Sequence, residues 1–396
     1  MSTAERCARS TADGAPSRHK PRFCPETSRD GVRAARRSED LNPRPEKIAH
    51  SRSESGRFLV TKSTIICNNK GMDAAKSKRF DVPDYGVGVG LRVPHYRHVI
   101  EQRPPMGFFE IISENFMVDG GKPLYHLDAV LETYPIINHG VSLSIGAPQG
   151  LDWDYLKRLK TLVKRVKPAW LSDHFCWTGV PGGNLHDLLP LPYTQEMIRV
   201  VSERARVVQD FLEVPFALEN TSSYMSYRSS EMTEWQFVSE VVERADIGLM
   251  FDVNNVYVSA YNHSFDAYEF LRQVPHERIL QIHLAGHTNM GKYIIDTHNG
   301  DIIDPVWSLY QATLSKTGPV STLIEWDDEI PAFDELQKLV SLAEEKRALA
   351  LRSPAQLSDM HMIPTATGAD STKSAGPWRQ GGPREAASAQ AVEAAE

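Results

Sequence analysis

Eight short apolar runs in this chain end in, or lead directly into, residues of the kinds that bind metal ions. Residues 86–90 lead to His95, 108–113 carry Glu110 and run into Glu114, and 136–144 carry His139. Residues 170–172 run into Asp173 and His174, 216–218 into Glu219, and 247–251 into Asp252. Residues 279–282 run into His283 and 322–324 into Glu325. Chance placement would scatter such side chains over helices and loops. Collection at strand ends is what an α/β fold of the (β/α)8 TIM barrel type requires, because its active site is assembled from the C-terminal ends of the strands. The pattern predicts a metalloenzyme barrel with a crowded, multinuclear centre.

The segments between the runs read as helices. In 152–166, Leu156, Leu159, Leu162, Val163 and Val166 recur at helical spacing with Lys and Arg opposite, and Pro168 ends the pattern. Thr194 is placed to cap a helix reaching Leu212. Stretches 233–244, 265–273, 305–315 and 332–347 fill further slots, with Pro305 suited to a first helical turn. Strand-helix alternation predicts a parallel sheet, and eight repeats predict closure. Two long connections, 178–192 and 285–297, fall on the mouth side, where they would form a lid or a substrate groove.

The barrel accounts for residues 81–350. Residues 1–80 and 351–396 are polar and poor in large apolar side chains, so both read as disordered tails. Met72 is an alternative start, since the globular pattern begins just after it. The Arg- and Ser-rich N-terminal stretch is too acidic for a typical organelle-targeting peptide and lacks the apolar core of a secretory signal. A net charge of −7 gives no general reason to bind nucleic acid. No apolar run is long enough for a membrane span. Cys7, Cys24, Cys67 and Cys176 show no CxxC spacing, which argues against a thiolate zinc site and for a reducing, cytoplasmic setting.

The densest chemistry lies in the second half. Glu219, Asp252-Val-Asn254-Asn255, His283, Asp296-Thr-His298 and Glu325 mix carboxylate oxygen with imidazole nitrogen, the set preferred by zinc, iron and manganese. They exceed what one ion holds, so two or three are expected. His95, His139, Asp173 and His174 supply a second arc. Strand alternation favours Glu114 as the mouth residue and Glu110 as a buried partner of Arg92. His287 reads as a support behind the ligands, His263 as a loop residue, and Cys176 as a small packed side chain.

The order of the late ligands resembles the xylose isomerase-like barrels. These include the trinuclear-zinc abasic-site endonucleases, in which His stands where this chain has Asn255. A closer resemblance runs through most of 85–345. GVGLRVPHY, FFEIISENF, NHGVSLSIG, WLSDHFCWTG, LLPLPYTQE, ALENTSSY, FDVNNVYVSAYNH, IHLAGH, DTHNGDI and IEWD are similar to segments of the multinuclear non-heme iron-dependent oxidative enzymes. That resemblance implies oxidative modification of cysteine in a ribosomally made precursor peptide. It implies two or three irons of mixed valence, dioxygen as co-substrate, and a small partner protein that presents the peptide. It carries the metal-ligand role to His95, His139, Asp173, Glu219, Asp252, Asn255, His283, Asp296, His298 and Glu325. It carries catalytic roles to Asp173, His174, Glu114 and Asn254. A hydrolytic or isomerising enzyme of the xylose isomerase-like or abasic-site endonuclease kind is the alternative, separable by metal identity. A catalytically dead peptide-binding barrel is a third reading, disfavoured by so full a ligand set.

Overall fold

The computed structural model describes residues 80–180 and 182–365. The expected tail before residue 80, with Cys7, Cys24, Cys67 and Met72, and the stretch after 365 lie outside the described residues. In chain order the elements begin β1 (Val87–Gly90), α1 (Tyr96–Gln102), β2 (Phe109–Ile112), α2 (Lys122–Leu131), β3 (Ile136–His139), α3 (Trp153–Val166) and β4 (Leu171–His174). Then come β5 (Trp177–Val180), β6 (Gly183–Leu189), α4 (Gln195–Leu212), β7 (Phe216–Glu219), α5 (Glu234–Ala245), β8 (Gly248–Asp252) and α6 (Val253–His263). The chain continues through α7 (Ala267–Gln273), β9 (Ile279–Leu284), β10 (Thr288–Asn289), β11 (Ile294–Ile295), α8 (Asp304–Thr317), β12 (Ser321–Ile324) and α9 (Phe333–Arg352).

Eight strands close into a barrel in the order β1, β12, β9, β8, β7, β4, β3, β2, and every neighbouring pair is parallel. This is the expected (β/α)8 architecture. The helix starts follow local chemistry. Asp152 accepts from the amides of Asp154 and Tyr155 and starts α3, and Thr194 Oγ1 accepts from Met197 N and starts α4. At α5 the Gln236 side chain reaches back to the Thr233 amide at 3.0 Å.

The strands alternate between two environments. One face packs under the helices, as with Phe216, Leu218, Leu249 and Phe251. The other fills the barrel. Its lower layer is Phe108, Ile137, Trp170, Ala217, Met250, Leu280 and Leu323, closed from below by Phe80, Val82 and Tyr85. Two residues further along five of these strands stand Glu110, His139, Glu219, Asp252 and Glu325. An apolar floor thus carries a polar layer at the mouth. Gly88 makes the floor possible, because a Cβ there would lie 2.6 Å from the Phe108 ring.

Three features differ from expectation. Each mouth connection folds into a hairpin, β5–β6 and β10–β11, both antiparallel. His263 ends α6 rather than lying in a loop. Packing also runs past residue 350: Leu357 is buried, Arg272 donates to the carbonyls of Leu357 and Met360, and Met362 N donates to Asp266. Among the described residues no helix is long and apolar enough to cross a membrane.

Phe108→Ala would open a cavity in the floor layer. It is expected to cost about 3–5 kcal/mol in urea unfolding of the metal-free protein, and a cost below about 1 kcal/mol would show that the floor is not close-packed.

Candidate metal centre

The polar layer gathers into three overlapping groups, and within each the ligand atoms lie within 4.8 Å of one another. The first is His139, His174 and Glu219; the second is Glu219, Asp252, His283 and Glu325; the third is His298, Glu325 and Asp327. Glu219 and Glu325 are shared, so the groups form a chain. Strand register produces the contacts: His174 stands opposite Glu219 across β4–β7, and Asp252 opposite His283 across β8–β9.

In the first group each ring is turned by a bond on its far side. His139 Nδ1 pairs with Ser172 Oγ at 2.8 Å, and His174 Nδ1 with the Gly140 carbonyl at 3.0 Å. Both rings then present Nε2 to Glu219 Oε2, at 3.4 and 3.5 Å. Burial, and then the neighbouring rings His174 and His283, hold the His139 pKa well below its usual value. Burial takes His174 down to about 4. Neutral imidazoles with free Nε2 lone pairs are the ligating form.

In the second and third groups the carboxylates crowd one another. Burial, and then Asp296, raises Asp252 to about 7, and burial raises Glu219 well above the carboxylate range despite the nearby His283. Burial would also raise Glu325, yet His283 and His298 hold it at about 2. Against the effect of burial, Glu110 and then Glu325 push His283, and Asp296 and then Glu325 push His298, well above the usual histidine value. The signs agree on one point: the layer holds more negative charge than its imidazoles balance.

These residues fit metal ions. Glu219 Oε2, Asp252 Oδ2, Asn255 Oδ1, His283 Nδ1, His298 Nε2 and Glu325 Oε2 are all buried and lack a hydrogen-bond partner. His283 Nδ1 and His298 Nε2 stand 3.0 and 2.7 Å from carboxylate oxygens, but out of line for a hydrogen bond. Buried polar atoms are rarely left so, and cations aimed at by these atoms would satisfy them.

Several expected site residues are placed differently. His95 lies apart: it follows β1 in a short 3-10 turn, its Nε2 bonds the Pro331 carbonyl at 2.8 Å, and its ring meets the Phe333 edge. Asp173 is next to His174 and therefore points to the opposite face of β4. Its oxygens accept from His174 N and Leu143 N. Glu114 Oε1 accepts from Val141 N, Ser142 N and Tyr155 Oη. These two acids clamp the loop after His139, and Gly140 is required there, since a Cβ would lie 2.3 Å from Asp173 Oδ2. Asn254 links His287 to Asp296: it donates to Asp296 Oδ1 at 2.7 Å, and its Oδ1 pairs with His287 Nδ1 at 2.8 Å. Asp296 in turn meets His298 Nε2. Asn255 donates to Glu219 Oε1 at 3.3 Å, which orients that shared ligand.

Two group members lie outside the ligand set that the resemblance implies. His174 stands in the second arc of the sequence, and the resemblance gives it a catalytic role. Asp327 follows Glu325 by two residues in IEWD, a spacing that places both on one side of an extended chain. Arg92 pairs with Asp327 at 2.5 Å, not with Glu110 as expected. Cys176 is fully buried, and burial pushes its thiol pKa far up, so it is a packed neutral side chain. Above the ligands lies a cavity of about 280 Å³, walled by Ile112, Val141, Leu188, Thr221, Ser222 and Tyr224.

Residues 86–348 match the model of the RiPP precursor modification enzymes MbnB/TglH/ChrH, RiPP denoting ribosomally made and modified peptides. The chain belongs to this family. Family membership makes it an enzyme that acts on a precursor peptide. Similar chains include a UPF0276 protein of Caulobacter vibrioides (strain NA1000 / CB15N). It is 51% identical over 271 residues, 68% of this chain and 97% of the relative. A UPF0276 protein of Anaeromyxobacter sp. (strain Fw109-5) is 49% identical over 266 residues, 67% of this chain and 94% of the relative. Among solved structures, D-psicose 3-epimerase with D-tagatose from Clostridium cellulolyticum H10 aligns at 13% identity and a TM-score of 0.42, over 67% of this chain and 97% of that one. So distant a likeness carries no functional weight, and the closed barrel itself defines the fold.

The His174 pKa gives a pH test on metal-free protein. Its folded value, about 4, lies below the ordinary 6.5, so its contribution to stability is complete above pH 6.5 and lost as pH falls toward 4. That window is worth on the order of 3 kcal/mol. His174→Gln is expected to flatten the acid limb of the stability curve, and an unchanged slope would show that His174 titrates normally.

Proposed function

We propose that this enzyme oxidatively modifies cysteine residues of a ribosomally made precursor peptide, using two or three irons and dioxygen. The observation that carries the proposal is the sharing of Glu219 and Glu325 between ligand groups, which suits adjacent ions bridged by carboxylates. Oxygen and nitrogen donors without a protein thiolate suit iron as well as zinc or manganese, and the family's peptide substrate favours redox chemistry over sugar isomerisation. Bound iron would supply electrons to dioxygen and acidify a substrate thiol.

The chain's own residues have distinct tasks. His139, His174, Glu219, Asp252, His283, Glu325, His298 and Asp327 would hold the ions. Asn255 and Ser172 fix the orientation of Glu219 and His139. Ile112, Val141 and Leu188 line the cavity above and would shed water as a peptide fills it. Burial and then Asp296 raise the Tyr224 pKa and keep it un-ionised, and its hydroxyl accepts from Asp296 N and pairs with Ser222 Oγ. Cys176, the only described cysteine, is sealed and neutral and does not reach the centre. The β5–β6 hairpin contributes Asp187 and Leu188 to the cavity wall and exposes Val180 and Leu185, an edge along which an extended peptide would run. A small partner protein would deliver that peptide, and a reducing cytoplasm would keep its thiol free.

Anaerobic purification followed by elemental analysis tests the metal. Two or three irons per chain are expected, and exposure to dioxygen with a cysteine-bearing precursor peptide should consume both. Glu219→Ala is expected to lose more than one iron, because two groups share that carboxylate, and to lower turnover by about 100-fold or more. The barrel should stay folded by circular dichroism. An iron-free Glu219→Ala protein with full activity, or wild-type protein that works with zinc or manganese alone, would overturn the proposal.

A further inference from the structure

Beneath the ligand groups runs a set of buried polar contacts that none of them uses. Trp170 is fully buried in the floor layer, and Gln281 and Glu110 above it are 0% and 2% exposed. Trp170 Nε1 donates to Gln281 Oε1 at 2.8 Å. An indole N–H can only donate, so the amide has one allowed orientation: oxygen toward Trp170, nitrogen toward the site. Gln281 Nε2 donates to Glu110 Oε2 at 2.5 Å. The two oxygens of Glu110 stand 3.2 and 3.3 Å from His283 Nε2.

Without metal the surrounding carboxylates favour the doubly protonated His283 ring, and this arrangement decides which nitrogen keeps its hydrogen when a cation takes the other. Gln281 Nε2 lies 3.0 Å from His283 Nε2 but has no lone pair to accept with. If Nε2 were bare and accepted from Gln281 instead, its lone pair would face both oxygens of Glu110. Hydrogen on Nε2, donated to Glu110, removes that repulsion. The other nitrogen, Nδ1, is then turned to Glu325 Oε2 at 3.0 Å and Glu219 Oε1 at 3.7 Å.

We propose that Glu110 is a positioning residue: by accepting from His283 Nε2 it fixes the tautomer and plane of that ring and presents Nδ1 to the cation shared with Glu219, Asp252 and Glu325. Gln281 and Trp170 hold Glu110 in place in turn. The inference rests on the reading of His283 as a metal ligand. A carboxylate behind a ligating histidine raises the basicity of the ring and stiffens it, so its loss weakens metal binding without removing a ligand. Glu110 is thus neither a ligand nor the partner of Arg92.

The test uses the full chain, stripped of metal and titrated anaerobically with ferrous ion alone. Glu110→Gln keeps an acceptor in place but removes the charge. Its affinity for ferrous ion should fall about 10- to 100-fold, with the number of ions at saturation and the near-UV circular dichroism unchanged. In a zinc-loaded diamagnetic sample, nitrogen NMR should show the His283 metal-bound nitrogen as Nδ1 and the protonated one as Nε2. Unchanged affinity in Glu110→Gln, or metal on Nε2, overturns the assignment. If the wild type binds neither ion, the iron reading falls separately. The metal-free spectrum then decides Glu110: a hydrogen-bonded Nε2–H resonance that moves upfield in Glu110→Gln supports the pair, and an unmoved one rejects it.

Discussion

Buried negative charge is the constraint around which this barrel is arranged. Glu219, Asp252 and Glu325 are 1%, 0% and 6% exposed and belong to one cluster with His283. Each ionised carboxylate taken out of water costs several kcal/mol unless it is paired, and their mutual repulsion adds to that cost. Two imidazoles pushed toward their charged forms offset part of it. The buried donor atoms without partners mark the remainder. A chain that folds with this imbalance at its mouth gains stability from every cation it binds, so metal loading and folding are thermodynamically linked.

The rest of the mouth is built to hold that cluster still. Strand alternation divides the work within a dipeptide: His174 faces inward to Glu219, whereas Asp173 faces outward and ties down the loop after His139. Glu114 secures the same loop through two amides and Tyr155. Asn254 and His287 do for Asp296 what Ser172 does for His139. Ligands are oriented from behind by groups that themselves sit on strands and helices, which keeps their geometry independent of solvent.

The barrel was legible because five strands carry their message in two parts: an apolar inward residue, then a donor two positions on, as in Ile137/His139, Ala217/Glu219, Met250/Asp252 and Leu323/Glu325. Where that rule is broken the sequence misleads. His95 lies five residues past the end of β1, inside a 3-10 turn that carries it away from the axis. Asp173 is expected as a ligand from its place after the fourth apolar run and from the resemblance, and its parity in β4 puts it on the face opposite His174. Asp327 had the right spacing from Glu325 but lies beyond the strand, where alternation is no longer guaranteed. The hairpins in the two mouth connections have no strong period-two pattern, and Gly182 with Gly183 was the main turn signal for the first.

The three ligand groups do not rest on equal foundations. His139, His174, Glu219, Asp252 and His283 all lie on barrel strands, whose positions are set by neighbours on both sides. Glu325 follows β12 directly and keeps its place through a bond from its amide to Leu284 O. His298 and Asp327 stand on connections. His298 has φ +46°, a left-handed conformation that costs a non-glycine residue energy, and it is held there by bonds joining its amide to Gly286 and its carbonyl to Asp327 N. Asp327 is the more exposed member, with its side chain 39% accessible and tied to Arg92. Rearrangement of the connection after β9 would dismantle the third group and leave the first two intact. All three groups border the cavity, the third through His298, Glu325 and Asp327. An incoming peptide that presses on those connections therefore acts on the loop-built end of the centre while the strand-built end stays fixed.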